Sequence, residues 1–97
     1  MSREERLQEL DSRLRAMQEL GIIEKASCGE RNTADLFVQA GLYDDFVGYP
    51  TESVAGFLET GVGALEVRGD PEWIAVALCM AGFETEECPD GVRVRLD

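Results

Sequence analysis

Histidine is absent from this sequence of 97 residues, and lysine occurs once, at Lys25. Without an imidazole, the usual general base for a serine or cysteine nucleophile is missing, and no serine sits in a G-x-S-x-G turn. The sequence therefore predicts no enzyme and no catalytic residues. Cysteine is scarce too: Cys28, Cys79 and Cys88 form no C-x-x-C pair. A tetrahedral zinc site would have to recruit carboxylates to complete itself, so none is expected. The bland reading is reduced thiols, with Cys79 buried in a helix. Long apolar runs are also lacking. The longest, Trp73 to Ala81, is about half of the ~20 residues that span a bilayer. The N-terminus is charged where a signal peptide would turn apolar, which predicts a cytoplasmic protein with no membrane contact.

Positive charge is the other shortage. Nine basic residues face twenty acidic ones, a net charge of −11, which repels phosphate backbones and anionic lipid and excludes direct nucleic-acid binding. Residues 1–24 are nearly balanced, with four Arg against six acids, so the acid excess belongs to the rest of the chain. With 44% apolar residues and this length, one hydrophobic core and a single domain over residues 1–97 are expected, and no disulfide or metal is needed to close it.

Ser2 and Glu5 have capping-box spacing, and Leu7, Leu10, Leu14 and Met17 recur at helical intervals. With favourable Glu9/Arg13 and Asp11/Arg15 pairs and Gly21 as a left-handed stop, they predict an amphipathic helix over about residues 2–20. Ile22-Ile23 open an extended segment that runs out in a turn at the small residues Ala26-Ser27-Cys28-Gly29. Asn32 or Thr33 caps a second helix carrying Leu36, Phe37 and Ala40, and Phe46 to Tyr49 reads as a strand stopped by Pro50. A third helix through Val54, Phe57 and Leu58 is weakened by Gly56. Ala64 to Arg68 alternates as a strand. Asp70-Pro71-Glu72 opens a fourth helix, Pro71 to Ala81, apolar nearly all round. Such a helix must be buried on more than one side or meet a partner.

Two final strands, Phe83–Cys88 and Val92–Leu96, make a hairpin through Pro89-Asp90-Gly91. A two-residue turn sets Glu86 opposite Arg93 and Glu84 opposite Arg95. A three-residue loop with a bulge at Gly91 would shift that pairing, and the charge match favours the first. The whole predicts an α+β fold: a small mixed β-sheet of about four to five short strands, helices mainly on one face, and a C-terminal β-hairpin.

The succession Gly21-Ile22-Ile23, Ser27-Cys28-Gly29, Tyr49-Pro50-Thr51-Glu52, Leu65 to Gly69, Ala81-Gly82-Phe83 and Val92 to Leu96 resembles an uncharacterised bacterial domain family of unknown function. The resemblance covers about three quarters of the chain from Leu20 onward. It implies a compact α+β fold and no activity. Members of that family carry additional cysteines near the position of Cys28 and a polar run where Tyr49-Pro50 stands, so no metal or ligand role carries over.

Among candidate sites, Gly61-Val62-Gly63 is no phosphate loop, since Glu66 holds the place of the third glycine and no cation accompanies it; a tight turn before a strand is the simpler reading. Asp44-Asp45 and the group Glu84, Glu86, Glu87, Asp90 lack the calcium-loop pattern and read as solvated surface. The charge points to a non-enzymatic protein that works through protein–protein interaction, for example an inhibitor or nucleic-acid mimic docking on a basic partner. Asp44, Asp45, Glu52, Glu59, Glu84, Glu86 and Glu87 are its candidate contacts. One rival is a salt-adapted, halophilic domain that homodimerises through a seam of Leu7, Leu10, Leu14 and Met17. Another is a module regulated by a small molecule or divalent metal, with Tyr43, Tyr49 and Trp73 as pocket walls. No cofactor motif is present.

Overall fold

A computed structural model of the chain describes residues 1–88 and 91–96; for Glu30, Glu87, Cys88 and Gly91 only the backbone is described. The order of elements is α1 (Arg3–Glu19), β1 (Lys25–Arg31), α2 (Thr33–Ala40), β2 (Phe46–Pro50), α3 (Thr51–Thr60), β3 (Val62–Arg68), α4 (Pro71–Met80), β4 (Glu84–Cys88) and β5 (Gly91–Arg95). The strands form one mixed sheet in the order β1-β2-β3-β5-β4, parallel between β1 and β2 and antiparallel elsewhere. The expected α+β architecture is thus present.

Helix boundaries follow the capping chemistry. The Ser2 hydroxyl accepts from the Glu5 N–H, Asn32 accepts from Asp35, and Asp70 accepts from Glu72, each satisfying a backbone donor that the helix leaves unpaired. Gly21 and Gly61 take left-handed φ of 72° and 76° where α1 and α3 end. Gly56 survives inside α3 for a steric reason: a Cβ there would stand 2.7 Å from the Val62 carbonyl oxygen, so the lost helix propensity is exchanged for close approach of α3 to β3.

Strand alternation sends side chains to two layers. Val47 and Tyr49 of β2, Leu65 of β3 and Val94 of β5 face the main core, where Leu10, Leu14 and Met17 of α1, Phe57 of α3 and Ile74, Ala77 and Leu78 of α4 meet them. Phe46 faces the other way, against Leu36 and Ala40 of α2. Three helices therefore cover one face and α2 alone sits on the other, over β2 and its neighbours β1 and β3.

Several expectations are corrected. The extended segment lies not at Ile22-Ile23 but at Lys25–Arg31, on the small residues read as a turn. Ala26 and Ser27 are buried there, and Ser27 pairs with Gly48, on which Leu36 presses, so bulk is excluded. Phe37 is 73% exposed, because Leu36 and Ala40, four apart, define the buried side of α2. Cys79 is exposed, not buried. The hairpin has the charge-matched register, Glu84 opposite Arg95 and Glu86 opposite Arg93; Pro89 and Asp90 lie outside the described residues. Phe83, Val94 and Leu96 are buried, as that register requires.

The stripe proposed as a dimer seam is consumed by the fold. Leu10, Leu14 and Met17 are 0% exposed against the chain's own sheet, and only Leu7 retains exposure. No helix among the described residues is long and apolar enough to cross a membrane.

Candidate functional surface

Three loops meet at one end of the sheet: the segment after α1, the segment before β2, and the turn after β3. Parallel pairing of Lys25 with Phe46 and antiparallel pairing of Phe46 with Arg68 fix them side by side. Hydrogen bonds lock the first two together. The Glu24 N–H donates to Asp45 Oδ2 at 3.1 Å, the Asp44 N–H donates to Glu24 Oε2 at 3.1 Å, and the Lys25 N–H donates to the Asp45 carbonyl. The third loop closes on them, since a Cβ at Gly69 would stand 3.3 Å from that of Asp45. Glu24, Asp44, Asp45, Asp70 and Glu72 thus share one end, and no ion pair within the described residues reaches any of them. Lys25 and Arg68 start and end strands here, but in register with Phe46 they belong to the face of the sheet that carries α2.

Trp73 borders this acidic end. Its indole N–H donates to the Ile22 carbonyl at 2.9 Å, which holds the ring against the loop that follows α1. From Trp73 an apolar stripe continues along the outside of α4 through Val76 to Met80, which are 43%, 50% and 62% exposed. The helix expected to be buried on several sides or partnered is buried on one side only, by Ile74, Ala77 and Leu78.

The remaining candidate acids are dispersed. Glu52 stands at the opposite end of β2, where its carboxylate accepts from the Thr33 hydroxyl at 2.8 Å. That bond ties the start of α3 to the start of α2 and holds the Glu52 carboxyl below its ordinary range. Glu59 pairs with Arg3 at 3.7 Å. Glu84 and Glu86 both lie 4.0 Å from Arg95 on the outer face of β4 and β5. Exposed pairs of this kind contribute about 0–1 kcal/mol each. Glu87 follows on β4 opposite Val92; its side chain lies outside the described residues. Of the proposed contacts, Glu84 and Glu86 lie together around Arg95, and Asp44 and Asp45 lie together at the end of the sheet where no ion pair among the described residues reaches them. Glu24, Asp70 and Glu72 join them, a grouping that sequence could not show because 21 residues separate Glu24 from Asp45.

Among the described residues, one groove of about 370 Å³ lies between Glu52, Ser53, Gly56 and Thr60 of α3 and Ala64 and Arg93 of the sheet, and another, of about 220 Å³, lies between Phe37, Ala40 and Gly41 of α2 and Glu66, Val67 and Arg68 of β3. Tyr43, Tyr49 and Trp73 line neither. Tyr43 stacks on Phe46 at 6.4 Å, and Tyr49 is buried. The Tyr49 hydroxyl donates to Asp11 Oδ1 at 2.8 Å, and the Gly29 N–H donates to the same oxygen at 3.2 Å. Gly29 lies where the β1–β2 register shifts, so Asp11 satisfies a donor that the irregular ladder leaves over. Asp11 thus serves the fold from within α1, a role its expected pairing with Arg15 did not suggest. Burial first, then the Asp11 carboxylate, hold the Tyr49 phenol well above its ordinary pKa.

Among the described residues no group of three or more Cys, Asp or Glu side chains is arranged to hold a metal ion. Comparison with family models, with curated proteins and with solved structures finds no match to this chain.

Proposed function

We propose that this chain is a non-catalytic interaction module that captures a basic partner at the acidic end of its sheet. The observation that carries the reading is the convergence of Glu24, Asp44, Asp45, Asp70 and Glu72 from three loops, with no ion pair from the described residues to neutralise them. Among the described residues Arg3 pairs with Glu59, Arg13 with Glu9, and Arg95 with Glu84 and Glu86, and none of these pairs lies at this end. Like charges held together without counter-charge cost stability, and a cationic surface docking there relieves that repulsion while the net −11 steers its approach. Inhibition of a nucleic-acid-binding protein by phosphate mimicry is one form this capture takes.

The test uses a lysine- and arginine-rich peptide as probe. The quadruple variant E24Q/D44N/D70N/E72Q keeps every hydrogen-bond acceptor, including the Asp70 cap, because Asn caps as well as Asp. The native protein is expected to bind in dilute buffer and to lose affinity steeply with salt, as the Debye length falls from ~10 Å at 0.1 M to ~3 Å at 1 M. The variant is expected to bind more weakly with a flatter salt dependence. Equal affinity and slope for the two proteins would overturn the reading.

A further inference from the structure

Resting on that reading, we propose that the exposed stripe Trp73–Val76–Met80 is the apolar half of the same surface, and that its occupant is a basic amphipathic helix of the partner. Trp73 is common to both halves: it starts the stripe, and its indole is bonded to the loop that also carries Glu24. From Trp73 to Met80 the stripe runs two turns, about 10 Å at 1.5 Å per residue, enough for one helix to pack across another. Glu72 and Asp70 stand at its head, so a helix with an apolar stripe and Lys or Arg beside it meets apolar surface and carboxylates together. Charge also decides against the simplest alternative. A second copy of this chain brings a further −11 to the contact, whereas a cationic segment is attracted.

Trp73 is the single tryptophan, so its emission reports on this surface alone. The probes are a 20-residue amphipathic peptide of Leu, Lys and Arg and a scrambled peptide of the same composition with its apolar stripe broken. The amphipathic peptide is expected to produce a saturable blue shift of Trp73 emission, and V76Q/M80Q to weaken it about tenfold. Both substitutions are at exposed positions, so the melting temperature of the variant is expected to match the native one. If the scrambled peptide binds equally well, or V76Q/M80Q binds the amphipathic peptide as tightly as the native protein, the apolar half is refuted while capture of a basic partner stands. If neither peptide binds, both readings fall. Self-association of the native protein in 1 M salt that V76Q/M80Q abolishes would assign the stripe to a second copy and overturn the proposal.

Discussion

The helices α1 and α4 reach opposite balances between what the sequence offers and what the core accepts. In α1 the apolar positions form one narrow stripe, and Leu10, Leu14 and Met17 disappear completely beneath it. The polar remainder has its own tasks: Arg13 donates to the Gly82 and Leu96 carbonyls and lies 5.5 Å from the Phe83 ring, and Arg6 donates to the last carbonyls of α3. In α4 apolar residues occupy nearly the whole circumference, yet the core takes only Ile74, Ala77 and Leu78. A helix can therefore be amphipathic and finished, or apolar and left with a surplus. The surplus of α4 sits beside the unpaired carboxylates, which is why the functional reading moves from α1, whose stripe was the dimer seam of one rival reading, to α4.

Breaking the finished side of this comparison has the largest expected effect. Leu14→Ala removes a fully buried side chain and is expected to cost about 2–5 kcal/mol in denaturant unfolding. Gly63→Ala comes next, because its Cβ would stand 2.6 Å from the Phe57 ring in the core; about 1–3 kcal/mol is expected, and a neutral effect would mean that Phe57 has room to move. Tyr49→Phe removes the bond to Asp11 and is expected to cost about 1 kcal/mol at neutral pH.

The sign for pH follows from the raised phenol. A folded-state pKa above the ordinary value of about 10 contributes stability that is full below pH 10. Above it the unfolded chain loses its proton while the native one keeps it, so stability declines as pH rises further. Thermal melts between pH 9 and 11 are expected to show that decline, and Tyr49→Phe to flatten it. Val76→Gln, on the surplus side, is expected to change stability by no more than about 0.5 kcal/mol. A loss comparable to that of Leu14→Ala would erase the distinction between the two helices.

Sequence reading succeeded where local chemistry decides. The caps at Ser2, Asn32 and Asp70, the helical stripe of α1 and the charge-matched hairpin are all interactions within a few residues or across one turn. It failed where two distant layers press on the same segment. Ala26-Ser27-Cys28-Gly29 looks like a turn in isolation, and becomes a strand because α1 and α2 approach it from opposite faces and bury Ala26 and Ser27, while Gly29, with open space beside it, serves through its left-handed φ of 103°. The outward placement of Phe37 and Cys79 depends on which side of each helix meets the sheet, a choice that neighbouring apolar residues leave open. The acidic surface was half legible: Asp44 and Asp45 are adjacent in sequence, but Glu24 and Asp70 reach them only through the β1–β2–β3 pairing.

The central claim is that one surface, the acidic sheet end continued by α4, receives a basic helix. Amide chemical-shift mapping tests it most directly, with the amphipathic basic peptide titrated into isotope-labelled protein. The account predicts that the largest shifts fall within residues 20–24, 42–45 and 69–80. Shifts centred instead on the grooves around Phe37 and Arg93, or spread evenly over the surface, would contradict it.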